Sequence, residues 1–143
     1  MRNSAAVVVL AFALFVAAPA VSLASPQHGA GVHRHPDAAR LKNPVSADAA
    51  SIEAGKKTYV ARCAHCHGAT GVGDGEDGLG MDPPPANLTD ATWKHGPSDG
   101  EIFTVIRSGV KGTGMKGFGS KLTTDEIWNL VNYLRSIGPH PQQ

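Results

Sequence analysis

Residues 63–67 read Cys63-Ala64-His65-Cys66-His67, and the rest of the chain is best understood outward from them. They match C-x-x-C-H, the pattern through which c-type haem is attached. On a helical turn, residues three apart share a face, so both thiols can reach the two vinyl groups on one porphyrin edge. His67 follows immediately and can offer an imidazole to the iron. Two other readings use the same residues. A redox dithiol needs a βαβ setting, which the flanking sequence lacks. A zinc site needs a second Cys or His pair at compact spacing, which is also missing. Cys63 and Cys66 are the only cysteines in the chain, so one haem accounts for both.

The start of the chain fits that chemistry. Met1 and Arg2 precede an uncharged apolar run from Ala5 to Val16, and Ser22-Leu23-Ala24 has the small-residue pattern of a cleavage site. This reads as a secretory signal peptide over residues 1–24. A retained membrane helix is the competing reading, because the run approaches the ~20 residues that span a bilayer. Pro19 and the cleavage pattern favour removal, with a periplasmic product and no membrane insertion thereafter. Cleavage would leave 119 of the 143 residues and take the formal charge from +1 to zero by removing Arg2. Such a balance gives no ground for a nucleic-acid partner. A domain of that size often needs a staple. Two cysteines three apart cannot join distant parts of the chain, whereas a covalent cofactor can be built around.

Residues 25–46 contain Pro26, Gly29, Gly31, Pro36 and Pro44, with His28, His33 and His35, and no apolar period. The composition reads as a flexible linker; nothing in it fixes the three histidines as a metal site. A folded domain is expected over residues 47–138, followed by a tail at 139–143. Asp48 or Ser51 is placed to cap a helix that runs towards Cys63. An acidic, glycine-rich loop follows from Gly71 to Asp82, then Pro83-Pro84-Pro85, which excludes helix. A short helical piece is expected at Asp90 to Lys94. Ser98 and Glu101 have capping-box spacing ahead of a helix burying Ile102, Phe103, Val105 and Ile106. Thr123 and Glu126 repeat the box before a helix with Ile127, Leu130, Val131 and Leu134 on one face, Tyr133 beside them, and a stop at Gly138-Pro139. No useful β alternation occurs, so the fold class is all-α.

Met115 is the expected second axial ligand. It lies in Gly112-Thr113-Gly114-Met115-Lys116-Gly117-Phe118-Gly119, where small neighbours allow close approach to a macrocycle. A methionine among glycines has little core to fill, which weighs against mere packing. Met81 lies close after His67 and just before the prolines, an awkward position from which to reach the opposite face. His95 would make a bis-histidine iron of lower potential, whereas Met/His ligation suits electron transfer.

From Ala47 to Gly138 the sequence resembles the class I monohaem cytochromes c of bacterial periplasms and mitochondria. Gly55, Tyr59 and Cys63, four apart, resemble that family's first helix, and Leu130, Tyr133 and Leu134 resemble the facing side of its last. The resemblance implies three to five helices around one covalently bound haem, with the first and last helices crossing at Gly55. It also implies that a carbonyl in Pro84-Pro85-Ala86-Asn87-Leu88, at Pro84 or Pro85, accepts a hydrogen bond from His67. The implied function is electron transfer between redox proteins by an Fe(II)/Fe(III) couple, in a carrier rather than an enzyme. The alternative is a cytochrome subunit of a larger dehydrogenase or oxidase. A haem enzyme or gas sensor would need an open iron position, and no acid–base pair beside one is readable. The acidic loop departs from the lysine-rich surface of mitochondrial members. Lys94, Arg107, Lys111, Lys116 and Lys121 are instead grouped in the stretch around Met115.

Overall fold

The computed structural model describes residues 36–138. The expected signal peptide, the three histidines and the C-terminal tail lie outside them. Four helices occur among the described residues: α1 (Ala49–Arg62), α2 (Ala64–His67), α3 (Asp99–Ser108) and α4 (Thr124–Ile137). No strand is formed there, only an isolated bridge between Gly109 and Lys116. None of these helices is long and apolar enough to cross a membrane.

The helix starts follow from local chemistry. Asp48 accepts from the Ser51 N–H at 2.8 Å and caps α1. Ser98/Glu101 and Thr123/Glu126 form complete capping boxes at α3 and α4, satisfying backbone donors at each N-terminus. Asp90 to Lys94, expected to include a helical piece, forms turns and bends instead. Trp93 in that stretch packs partly against the core, so tertiary burial shapes it more than helix propensity does.

The core lies between α3 and α4, with Tyr59 from α1 closing it. Ile102, Phe103 and Ile106 meet Ile127, Trp128, Leu130, Val131 and Leu134, all buried. Phe103 stacks on Trp128 with ring centroids 4.1 Å apart, a favourable aromatic arrangement. The packing of α1 on α4 is the most extensive helix contact, yet α1 has no apolar stripe. It buries Ser51, Gly55 and Tyr59, four residues apart, which present one face. The missing side chain at Gly55 admits the α4 backbone at Asn129, and Tyr59 then tilts against Tyr133 at 5.1 Å.

Part of the segment that composition assigned to a linker is held against the domain. Ala38–Arg40 forms a 3-10 turn beside α3, and a side chain at Gly100 would collide with the Ala38 carbonyl. Asn43 donates to Asn132 Oδ1 at 2.8 Å; Asn132 Nδ2 donates to the Val45 and Ser46 carbonyls and to Ser51 Oγ. This buried amide network ties residues 43–46, α1 and α4 together. It works mainly through amide hydrogen bonds, with Val45 adding partly buried apolar surface, so composition gives little sign of it.

Candidate functional site

Cys63 is the joint between α1 and α2. Its N–H donates to the Tyr59 carbonyl at 2.8 Å, and its own carbonyl accepts from Cys66 and His67 N–H groups at 3.1 and 2.9 Å. These bonds set Cys63, Cys66 and His67 on one tight turn. Gly68 ends it at φ +79°, a left-handed value that glycine adopts without strain. The buried Tyr59 hydroxyl donates to the Gly68 carbonyl at 2.6 Å and joins the helix core to the end of the turn. Burial, with Cys63 adding to it, pushes that phenol well above its ordinary pKa and keeps it a donor. The Gly71 N–H also reaches the Gly68 carbonyl, at 3.2 Å. Tyr59→Phe is therefore expected to lower stability by about 1 kcal/mol, one neutral hydrogen bond, rather than the larger loss of a fully orphaned acceptor. Thermal melting of the haem-loaded protein checks this; an unchanged melting point would mean the bond contributes nothing.

Beyond Gly68 the chain doubles back. The Gly73 N–H donates to the His67 carbonyl at 2.8 Å and the Leu88 N–H to the Gly71 carbonyl at 2.6 Å. A side chain at Gly73 would meet the Pro85 carbonyl at 2.7 Å, so glycine lets the proline segment lie close. That register directs the Ala86 carbonyl to His67 Nδ1, at 2.9 Å. The expected proline acceptor is thus corrected by one or two residues: the Pro85 carbonyl faces Gly73. The pairing of Leu88 with Gly71, which no local motif announces, decides which carbonyl reaches the ring.

The donor chemistry here suits a covalent haem. A carbonyl can only accept, so Nδ1 carries the proton and Nε2 keeps its lone pair for a metal. Burial, with Cys66 as a smaller contributor, pushes the Cys63 thiol up to about 12. A redox dithiol needs the opposite shift, towards thiolate, whereas a neutral thioether is at home in apolar surroundings. A zinc centre needs three or more converging ligands, and among the described residues no such group of His, Cys, Asp or Glu occurs.

Met115 lies on a different part of the fold, in the α3–α4 connection. The Val110 N–H donates to the Met115 carbonyl at 3.0 Å, and the Met115 N–H donates to Thr113 Oγ1 at 3.1 Å. Phe118 and Gly119 N–H groups fasten the far end of the loop to the Ile106 and Arg107 carbonyls, both at 2.9 Å. Met115 is half-buried, and Lys94, Arg107, Lys111, Lys116 and Lys121 are all exposed. Met81, unpromising as a ligand on sequence grounds, is also half-buried and packs its sulfur against Gly114.

A family model for the cbb3-type cytochrome c oxidase subunit III matches residues 50–134, from the first turn of α1 to near the end of α4. The chain belongs to this family. It is a c-type cytochrome, and its cofactor is haem c. This cytochrome is 31% identical over 98 residues to the cbb3-type cytochrome c oxidase subunit FixP of Azorhizobium caulinodans, covering 68% of the chain and 31% of the relative. It is 31% identical over 96 residues to the subunit CcoP of Azospirillum brasilense, covering 67% and 32%. It therefore spans about a third of the length of the curated relatives it matches. Among solved structures it resembles a reducing HAO-like protein complex of Kuenenia stuttgartiensis, with TM-score 0.61 and 30% identity over 68% of this chain and 49% of that one. Cytochrome cL of Hyphomicrobium denitrificans matches with TM-score 0.55 and 26% identity, over 68% and 53%. The all-α expectation and the class I cytochrome resemblance are both borne out.

Proposed function

We propose that this cytochrome is an exported, periplasmic electron carrier whose single haem is attached through Cys63 and Cys66 and ligated by His67 and Met115. Bound haem supplies the one-electron Fe(II)/Fe(III) couple. The chain's own residues orient and shelter it. The single observation that carries the reading is the His67 Nδ1 contact with the Ala86 carbonyl, which leaves the other ring nitrogen available to a metal. Cys63 and Cys66 on the same turn supply the two thiols for covalent attachment. Met115 is held at its own backbone, its carbonyl accepting from the Val110 N–H and its N–H donating to Thr113 Oγ1, which supports a defined place for a ligand there.

The test is the optical spectrum of the protein exported with haem-attachment machinery, oxidised and reduced, followed by acid–acetone extraction. Haem that stays with the protein, together with a ferric far-red iron–thioether band that Met115→Ala abolishes, is the expected result. Extractable haem would overturn attachment at Cys63 and Cys66; a missing far-red band would overturn Met115.

The names of the curated relatives favour a second reading, a cytochrome subunit or module of a larger oxidase or dehydrogenase. Co-purification with a large subunit at stoichiometric yield would support it; a monodisperse small haem protein would favour the diffusible carrier. The exposed cations around Met115 bear on partner choice in either case. If they steer docking, electron exchange with an acidic redox protein slows as salt rises, because screening shortens the reach of surface charge. A flat salt dependence would remove that role.

A further inference from the structure

Gly114 does not take a positive φ, so its lack of a side chain is not explained by backbone conformation. Its neighbour explains it. A Cβ at residue 114 would lie 2.7 Å from Met81 Sδ and 3.3 Å from Met81 Cε, so the thioether occupies the room a side chain would need. Two loops far apart in sequence interlock here. Met81 ends a series of contacts that begins at the cysteine turn. The Gly75 N–H donates to the Cys66 carbonyl at 3.1 Å, the Gly78 N–H to the Gly75 carbonyl at 2.9 Å and the Met81 N–H to the Gly78 carbonyl at 3.2 Å. Gly114 begins the peptide unit that leads into Met115.

We propose that Met81 is a positioning residue for Met115, its thioether latching the Met115 loop to the segment anchored on Cys66. This rests on the reading of Met115 as an axial ligand. Such a latch adds what the loop's own hydrogen bonds do not, because those run within the loop and to α3 rather than to the cysteine turn. Lys111, Gly112, Gly114 and Lys116 are exposed, and the glycines leave the backbone many alternative conformations. Hydrogen bonds hold the Met115 backbone to Val110 and Thr113 and fasten Phe118 and Gly119 to α3, whereas the Met81 thioether ties the loop to the segment that starts at Cys66. Methionine is well suited to such a contact, because an unbranched, polarisable side chain fits an irregular gap against backbone.

The test uses ferric holoprotein and measures cyanide association together with the far-red band. Cyanide competes for the position Met115 would hold, so its rate reports how often that ligand is away. Met81→Ala is expected to accelerate cyanide association about tenfold, equivalent to about 1.4 kcal/mol of latching, with a weaker far-red band. Haem should remain covalently attached. Gly114→Ala should act in the same direction, since its methyl group displaces the flexible Met81 tip. The double variant should be no faster than the faster single, because both changes break one contact. Met81→Leu keeps apolar bulk in the gap and should stay near the wild-type rate; a Met81 that ligated iron would not be replaced by leucine.

A wild-type rate in Met81→Ala overturns the proposal. So do effects of the two single variants that multiply in the double, and so does a Met81→Leu that behaves like Met81→Ala. If Met81→Ala gives no holoprotein, Gly114→Ala alone carries the test. Failure of the underlying reading is seen separately: wild-type protein without a far-red band shows that Met115 is not the ligand, before any variant is compared.

Discussion

Replacing Gly55 by leucine is expected to abolish recovery of folded, haem-loaded protein. A Cβ at this position would sit 2.0 Å from the Asn129 carbonyl oxygen, 2.6 Å from its carbon and 2.8 Å from Tyr133 Cβ. The nearest obstacle is the backbone of α4, so no change of rotamer relieves it. The helices would have to separate, whereas ordinary core overpacking is absorbed by side chains at about 1–3 kcal/mol. Separation would also pull Ser51 from Asn129 and Asn132, and Tyr59 from Tyr133. The cysteine turn continues directly from α1, so its placement against the Ala86 carbonyl would be lost with the helix crossing. The check is the yield of covalent haem per chain after export, with thermal melting of any protein recovered. Normal yield and melting would mean that α1 and α4 do not need to meet at Gly55.

Leu130→Ala is expected to cost about 2–5 kcal/mol, the range for truncating a large aliphatic side chain in a packed core. Leu130 is 1% exposed, on the α4 face that meets the other core helices. Against a typical domain stability of about 5–15 kcal/mol this is a severe loss. Each kcal/mol lowers the melting point by about 4–8 °C in a domain near 100 residues. Denaturant unfolding of the holoprotein measures it directly. A loss under about 1 kcal/mol would show that the core collapses into the space or that this site is loosely packed. The two variants differ in kind, one adding atoms where backbone must pass and the other removing atoms where side chains must fill.

The parts legible from sequence are those set by near neighbours. Both capping boxes form as their spacing indicates, because each bond spans three residues. The apolar faces of α3 and α4 are buried as their periodicity requires, although Val105 is only half-buried and the pattern does not single out the fully enclosed Trp128. Its stacking on Phe103 depends on how two helices approach, which no single-helix pattern contains. The face of α1 has no hydrophobic signal, since Ser51 and Gly55 pack by being small; only the resemblance to a known family points to Gly55 and Tyr59.

The site divides in the same way. Cys63, Cys66 and His67 are adjacent in sequence, so one turn of helix suffices to gather them and local geometry carries the chemistry. The carbonyl that orients His67 comes from Ala86, nineteen residues on, and the register of the returning chain at Gly73 and Leu88 selects it over the neighbouring prolines. Met81 is unpromising in sequence because its distance from His67 along the chain is short; in space it lies against the loop that carries Met115. The fastening of residues 43–46 through Asn132 is hidden for the same reason. The sequence alone determined the cofactor class, the capped starts of α3 and α4 and the all-α character, because those are written in contacts a few residues long. Only the tertiary structure decided which backbone orients the histidine and which side chain meets the Met115 loop, because such contacts depend on where whole elements come to rest against each other.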